Sequence, residues 1–85
     1  MKTDYSRTFL IMTSVINIAM QYDGKGLNIV PNLYFWHDDK MSLSVSVANP
    51  KDKKWHLVEL KSLEKDWVLA FLDEIEETAE EFSEK

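Results

Sequence analysis

Residues 9–20 read FLIMTSVINIAM, and whether this run is a strand or a helix decides the fold. The longer segment Thr8 to Tyr22 is rich in Ile, Val, Thr and Phe, residue types that fit a pleated, half-buried surface. Its alternate set Leu10, Met12, Ile16, Ile18 and Met20 is apolar, while Thr13 and Asn17 fall on the other parity. The expectation is a long strand over residues 8–22 with one buried face. A helix is the competing reading, because an apolar run this continuous hides its own period. The run has only one or two positive charges ahead of it and contains polar Thr13, Ser14 and Asn17, which argues against a signal peptide. No stretch approaches the roughly 20 apolar residues a spanning helix needs, so the reading is a soluble cytoplasmic protein without a membrane partner.

Working outward, YDGKGL (22–27) holds both glycines of the chain, and Asp23-Gly24 and Gly26 are suited to positive φ, so a hairpin turn is expected. Residues 27–37 form a second strand interrupted at Pro31, which lacks a donor for the ladder and marks an edge, bend or bulge. After the polar turn HDDK, the segment MSLSVSVA (41–48) alternates Met41, Leu43, Val45 and Val47 with Ser42, Ser44 and Ser46. That pattern is a strand with one core face and one flat, hydroxylated face. The loop NPKDKK reverses into a fourth strand, 55–60, with Trp55 and Leu57 on one face and His56, Val58 and Leu60 on the other. A helix over 63–83 follows, with Ser62 as N-cap, Glu64 and Asp66 in its first turn, and an apolar stripe through Leu63, Trp67, Phe71, Ile75, Ala79 and Phe82. The expected fold is α+β, one domain over 1–85: a four-stranded antiparallel sheet with one long C-terminal amphipathic helix packed on one face.

Eighty-five residues hold one marginal core, so burial against a second copy is expected to help, and a homodimer follows. The serine face and an outward Leu69 are the surfaces such a dimer would cover. Ten aromatics argue against disorder, and the lack of cysteine excludes a disulfide framework, a thiolate metal site and a thiol nucleophile. The net charge of -5 is uneven: residues 1–58 hold seven Lys or Arg against five acids, a net of +2, and residues 59–85 hold three against ten, a net of -7.

Catalysis finds no support. His37 and His56 are separated by a turn, a strand and a loop, and no Ser/His/Asp or Glu/His spacing occurs. The HDD at 37–39 is read as turn chemistry rather than a metal site, and DGKG is too short for a phosphate cradle, so neither cofactor nor metal is expected. Lys51, Lys53 and Lys54 beside Trp55, with Lys40 and Arg7 elsewhere on the basic half, are the candidate nucleic-acid contacts. Lysines meet phosphates as point charges, and Tyr34, Trp36 and Trp55 are available platforms for unpaired bases. Against this stands a solvated turn with Trp55 in the core, and the chain's single arginine. Glu76, Glu77, Glu80 and Glu81 are the candidate contacts for a basic protein, in a helix half where the dipole disfavours acids. Their bland alternative is a solvated face that keeps the protein in solution.

Four strands followed by one helix resemble the order of the PC4-like single-strand nucleic-acid-binding domains. The segment VELKSLEKDWVLAFLDEIEETAEEF (58–82) is similar in rhythm to that family's last strand, capped helix and acidic tail. The resemblance covers about the last forty-five residues, without a diagnostic motif and with fewer basic residues than the family carries. It implies dimerisation through helices and single-strand binding on the sheet, at Lys51, Lys53, Lys54 and Trp55. In overall character the chain also resembles small phage-encoded inhibitors of host defence, of the anti-CRISPR or toxin-ribonuclease-inhibitor kind. The expected function is therefore a non-enzymatic, phage-type inhibitor of a host nuclease or toxin that binds RNA or single-stranded DNA and a basic host protein. The alternatives are an acidic protein-directed inhibitor or nucleic-acid mimic, and a structural accessory protein with neither role.

Overall fold

The computed structural model describes residues 6–36 and 40–83. The decisive stretch is a helix. The elements run α1 (Ser6–Gln21), β1 (Asn28–Phe35), β2 (Met41–Asn49), β3 (Lys54–Glu59) and α2 (Lys65–Phe82). The architecture is α+β with three antiparallel strands in the order β1-β2-β3, and the expected strand over 8–22 is corrected to α1.

Burial explains the correction. Thr8, Ile11, Val15 and Ile18 are the buried residues of α1, and they recur at intervals of three and four. Leu10, Ile16 and Met20, which a strand would have placed on its buried face together with Ile18, are exposed. One helical stripe is enough to anchor the element, and tertiary burial overrides the modest strand preference of Ile, Val and Thr. The glycines then do a different job from the one expected. Gly24 and Gly26 both take φ 78, as a turn requires, but they end a helix rather than join two strands. The amides of Tyr22, Asp23 and Lys25 donate to Ala19, Met20 and Tyr22 three residues back, tightening the exit into β1.

The sheet matches expectation more closely. Pro31 sits on β1, an edge strand, opposite Val45. Alternation in β2 sends Leu43, Val45, Val47 and Asn49 into the interior. They meet Val58 of β3, Ile11, Val15 and Ile18 of α1, and Phe71, Ile75 and Ala79 of α2. Two helices therefore cover one face of three strands. They lie side by side and parallel, since Arg7 Nη1 donates to Leu63 O at 2.9 Å near their starts and the Tyr22 hydroxyl to Glu80 Oε2 at 3.2 Å near their ends.

The start of α2 is also corrected. Glu64, not Ser62, occupies the N-cap, with no side-chain bond to the helix. Ser62 Oγ instead accepts the Glu64 amide at 3.1 Å, a local turn that sets up the first helical residue, Lys65.

Candidate nucleic-acid interface on the open sheet

Since both helices pack on one side, the opposite side of the sheet is left uncovered by the described residues. Register defines its rows: Tyr34 beside Ser42; Asn32, Ser44 and Glu59; Val30, Ser46 and Leu57; Asn28, Ala48 and Trp55. The face is flat and small along β2, with aromatic rings at its two ends. Trp55 is 64% exposed, Tyr34 55% and Trp36 54%. Trp55 is thus not a core residue: Trp55 and Leu57 share parity away from buried Val58. At the far end the Tyr34 and Trp36 rings lie 6.1 Å apart, tilted by 32°, and Trp36 Nε1 donates to Ser42 Oγ at 3.3 Å. That bond fixes the indole at the sheet rim with its surface open. The row positions of Ser42 and Ala48 are six residues apart, roughly 20 Å at about 3.3 Å per residue, the reach of several nucleotides.

The residues of the expected basic cluster fall at several places in the fold. Lys51 and Lys53 lie in the β2–β3 turn, where Lys53 takes φ 56. Lys54 opens β3, but alternation turns it to the helix side, where Nζ stands 5.7 Å from the Phe82 ring centroid. There it supplies a cation at the end of α2, whose own last turn has no basic residue. Lys40 is at the other end of β2, about 30 Å from the Lys51–Lys54 turn on the same rise per residue. Arg7 is on α1, in the helical layer, bound to Leu63 O. Of the six residues named for nucleic acid, the structure brings together Lys51, Lys53, Lys54 and Trp55 in sequence, with Lys54 and Trp55 on opposite faces. Lys40 and Arg7 stand apart. His37, Asp38 and Asp39 lie outside the described residues.

The lysine turn is built on Asn49. Its fully buried side chain accepts the Lys51 and Asp52 amides through Oδ1 at 3.1 and 3.2 Å and donates through Nδ2 to Phe82 O at 2.8 Å. One amide thus folds the turn and pins it to the last residue of α2. Beside it, His56 Nε2 meets Glu74 Oε2 at 2.7 Å and ties β3 to the middle of α2.

The acidic residues do gather. Glu76, Glu77, Glu80 and Glu81, with Asp73, surround Tyr22 on the outer side of α2, around a shallow depression of about 500 Å³. Desolvation raises the Tyr22 pKa above its ordinary value, and the Glu80 hydrogen bond and the charges of Glu80 and Glu76 push the same way. Among the described residues no group of three His, Asp or Glu side chains could hold a metal ion, and no helix is long and apolar enough to cross a membrane.

The aromatic ends of the open face were legible in sequence only as separate platforms. The strict serine alternation of β2 and the odd-even parity of Trp55 and Leu57 were the signals that join them. No known family model matches the chain, and comparisons with curated proteins and with solved structures find no significant similarity.

Proposed function

We propose that this is a non-enzymatic binding protein that takes unpaired RNA or single-stranded DNA on its open sheet face. The observation carrying this reading is the placement of Trp55, Tyr34 and Trp36, each more than half exposed, on a sheet surface that neither helix covers. A β-sheet presenting aromatic faces offers stacking surfaces that every base fits, and serine and asparagine hydroxyls and amides between them offer hydrogen bonds without sequence choice. In this reading Lys51 and Lys53 of the adjoining turn, and Lys40 just before β2, meet backbone phosphates at either end. Among the described residues Glu59 is the carboxylate on this face, and most of the remaining described acids belong to the helical layer behind it. In the same proposal the acidic outer side of α2 contacts a basic protein, as an inhibitor of a host nuclease or toxin would need. The second reading, an acidic mimic that binds such a protein alone, draws on the clustering of Glu76, Glu77, Glu80 and Glu81.

The test is fluorescence anisotropy with labelled oligouridylate and oligothymidylate at low salt. Trp55→Ala is expected to weaken binding by about 1–3 kcal/mol, roughly 5- to 150-fold in Kd, with an unchanged circular dichroism spectrum because the ring contributes little to the core. Absence of binding by the unaltered protein at low salt eliminates the nucleic-acid reading.

A further inference from the structure

The outer side of α1 is apolar where a lone surface helix would be polar. Phe9 is 72% exposed, Met20 69%, Leu10 66% and Ile16 51%. The whole element, SRTFLIMTSVINIAMQ, carries one charged side chain, Arg7, and that guanidinium is bound to Leu63 O on the α2 flank. Directly opposite the buried Ile11–Val15–Ile18 stripe lie Phe9, Thr13, Ile16 and Met20, spaced by four, three and four. That is the interval at which one helix meets another along a seam. Thr13 belongs in it, since its Oγ1 donates to Phe9 O at 3.0 Å, so burial would leave the hydroxyl satisfied and present its methyl group.

The ridge is flanked by two grooves. One, of about 380 Å³, runs between α1 and α2 past Leu10, Ser14, Leu69 and Leu72. The other, of about 370 Å³, runs between α1 and β1 past Ile16, Met20, Ile29 and Pro31. A ridge set between grooves fits a copy of itself. At roughly 150–250 Å² for a large side chain, the four exposures leave on the order of 500 Å² of apolar surface on this helix, and Met12, Ala19 and Leu69 at its flanks add to it. That approaches the roughly 800 Å² per partner of a standard interface and matches the largest patch a monomer usually tolerates. The seam residues Phe9, Thr13, Ile16 and Met20 carry no charge, and the charged side chains of the flanking grooves stand near opposite ends of α1, Arg7 and Lys65 at its start and Asp23 past its end, so an antiparallel copy suits them.

We infer that the chain forms a two-fold dimer through α1, with Phe9, Thr13, Ile16 and Met20 packed antiparallel against the same residues of a second copy. The two-fold axis passes between Ser14 and Val15, so Phe9 meets Met20 and Thr13 meets Ile16 of the other chain. Large is thereby set against flexible and small against branched. Antiparallel packing also opposes the two helix dipoles. Both open sheet faces stay outward, because α1 lies in the helical layer.

Sedimentation equilibrium from 5 to about 200 µM, a range spanning the micromolar affinity of a modest interface, is expected to give twice the mass of one chain. Ile16→Glu is expected to halve that mass with unchanged helical circular dichroism, since the side chain lies outside the core. A monomer throughout the range overturns the proposal, as does a dimer that survives Ile16→Glu. So does a monomer that floats with phosphatidylcholine vesicles, which would make the apolar face a lipid contact. Orientation is read independently of Ile16→Glu. The chain has no native cysteine, so Phe9→Cys with Met20→Cys in one chain should oxidise to a covalent dimer, and either substitution alone should not. Cross-linking by Phe9→Cys alone marks a parallel seam and overturns the pairing.

Discussion

At the scale of residues, Asn49 shows how one side chain can hold two elements that are distant in sequence. Its Oδ1 accepts the Lys51 and Asp52 amides and its Nδ2 donates to Phe82 O and, at 3.5 Å, to Asp52 Oδ2, which satisfies a fully buried amide. Asn49→Ala therefore leaves a cavity and a carbonyl without its donor, and should destabilise the protein by about 1–3 kcal/mol, measured as a lower urea midpoint with unchanged slope. Asn49→Asp should be nearly as harmful, since a carboxylate keeps the two amide bonds but faces the carbonyl with another acceptor. An unchanged midpoint for both variants would show that the turn holds itself. Nothing in the alternation of β2 announces this role. The serine-valine pattern predicts that position 49 faces inward, but what an inward Asn bonds to depends on where the end of α2 falls.

At the scale of elements, α1 illustrates why period decides and composition misleads. Its residues are strand formers by type, and Leu10 and Ile18 share strand parity. In the helix, eight residues apart, Ile18 is buried and Leu10 is on the outside. Ile18→Ala should destabilise by about 2–5 kcal/mol, whereas Leu10→Ala should fall within about 0.5 kcal/mol, both by urea denaturation at equal protein concentration. Equal losses would fit a strand and contradict the helix. The helical signal was present in the sequence as Thr8, Ile11, Val15 and Ile18, but the second apolar stripe, Phe9, Ile16 and Met20, filled in the intervals and hid it. A helix apolar on two sides reads as continuous. Its second side would be explained by a partner, which a single sequence does not display. The three strands were easier, because β2 has one polar parity and its neighbours inherit their register from it.

At the scale of the whole molecule, charge is not divided cleanly between the layers, since Arg7 and Lys65 are on the helices, Lys54 turns toward them and Glu59 is on the sheet. Asp73, Glu76, Glu77, Glu80 and Glu81 of α2 gather on the outer side of the helical layer, while the lysine turn lies at the end of the sheet where α2 also ends. Lys54 accordingly serves the helix terminus, and Lys51 and Lys53 lie in the turn between β2 and β3. If the acidic side engages a basic protein, the combined substitution of Glu76, Glu77, Glu80 and Glu81 by Lys should abolish its capture and leave oligonucleotide binding intact or stronger. Capture that persists, measured by pull-down from nuclease-treated extract of expressing cells, would assign that side to keeping the protein in solution. The sequence by itself determined the α+β class, the inward and outward faces of β2, the two parities of β3, the break that Pro31 makes in a central ladder and the C-terminal helix. Each of these rests on a local period or on a single residue's backbone chemistry. Tertiary structure alone decided that residues 6–21 coil into a helix, that Lys54 and Trp55 part to opposite faces with the turn tied to α2, and that three aromatics share one open surface. Those outcomes depend on which apolar stripe finds a core to enter, and that is settled only when distant segments meet.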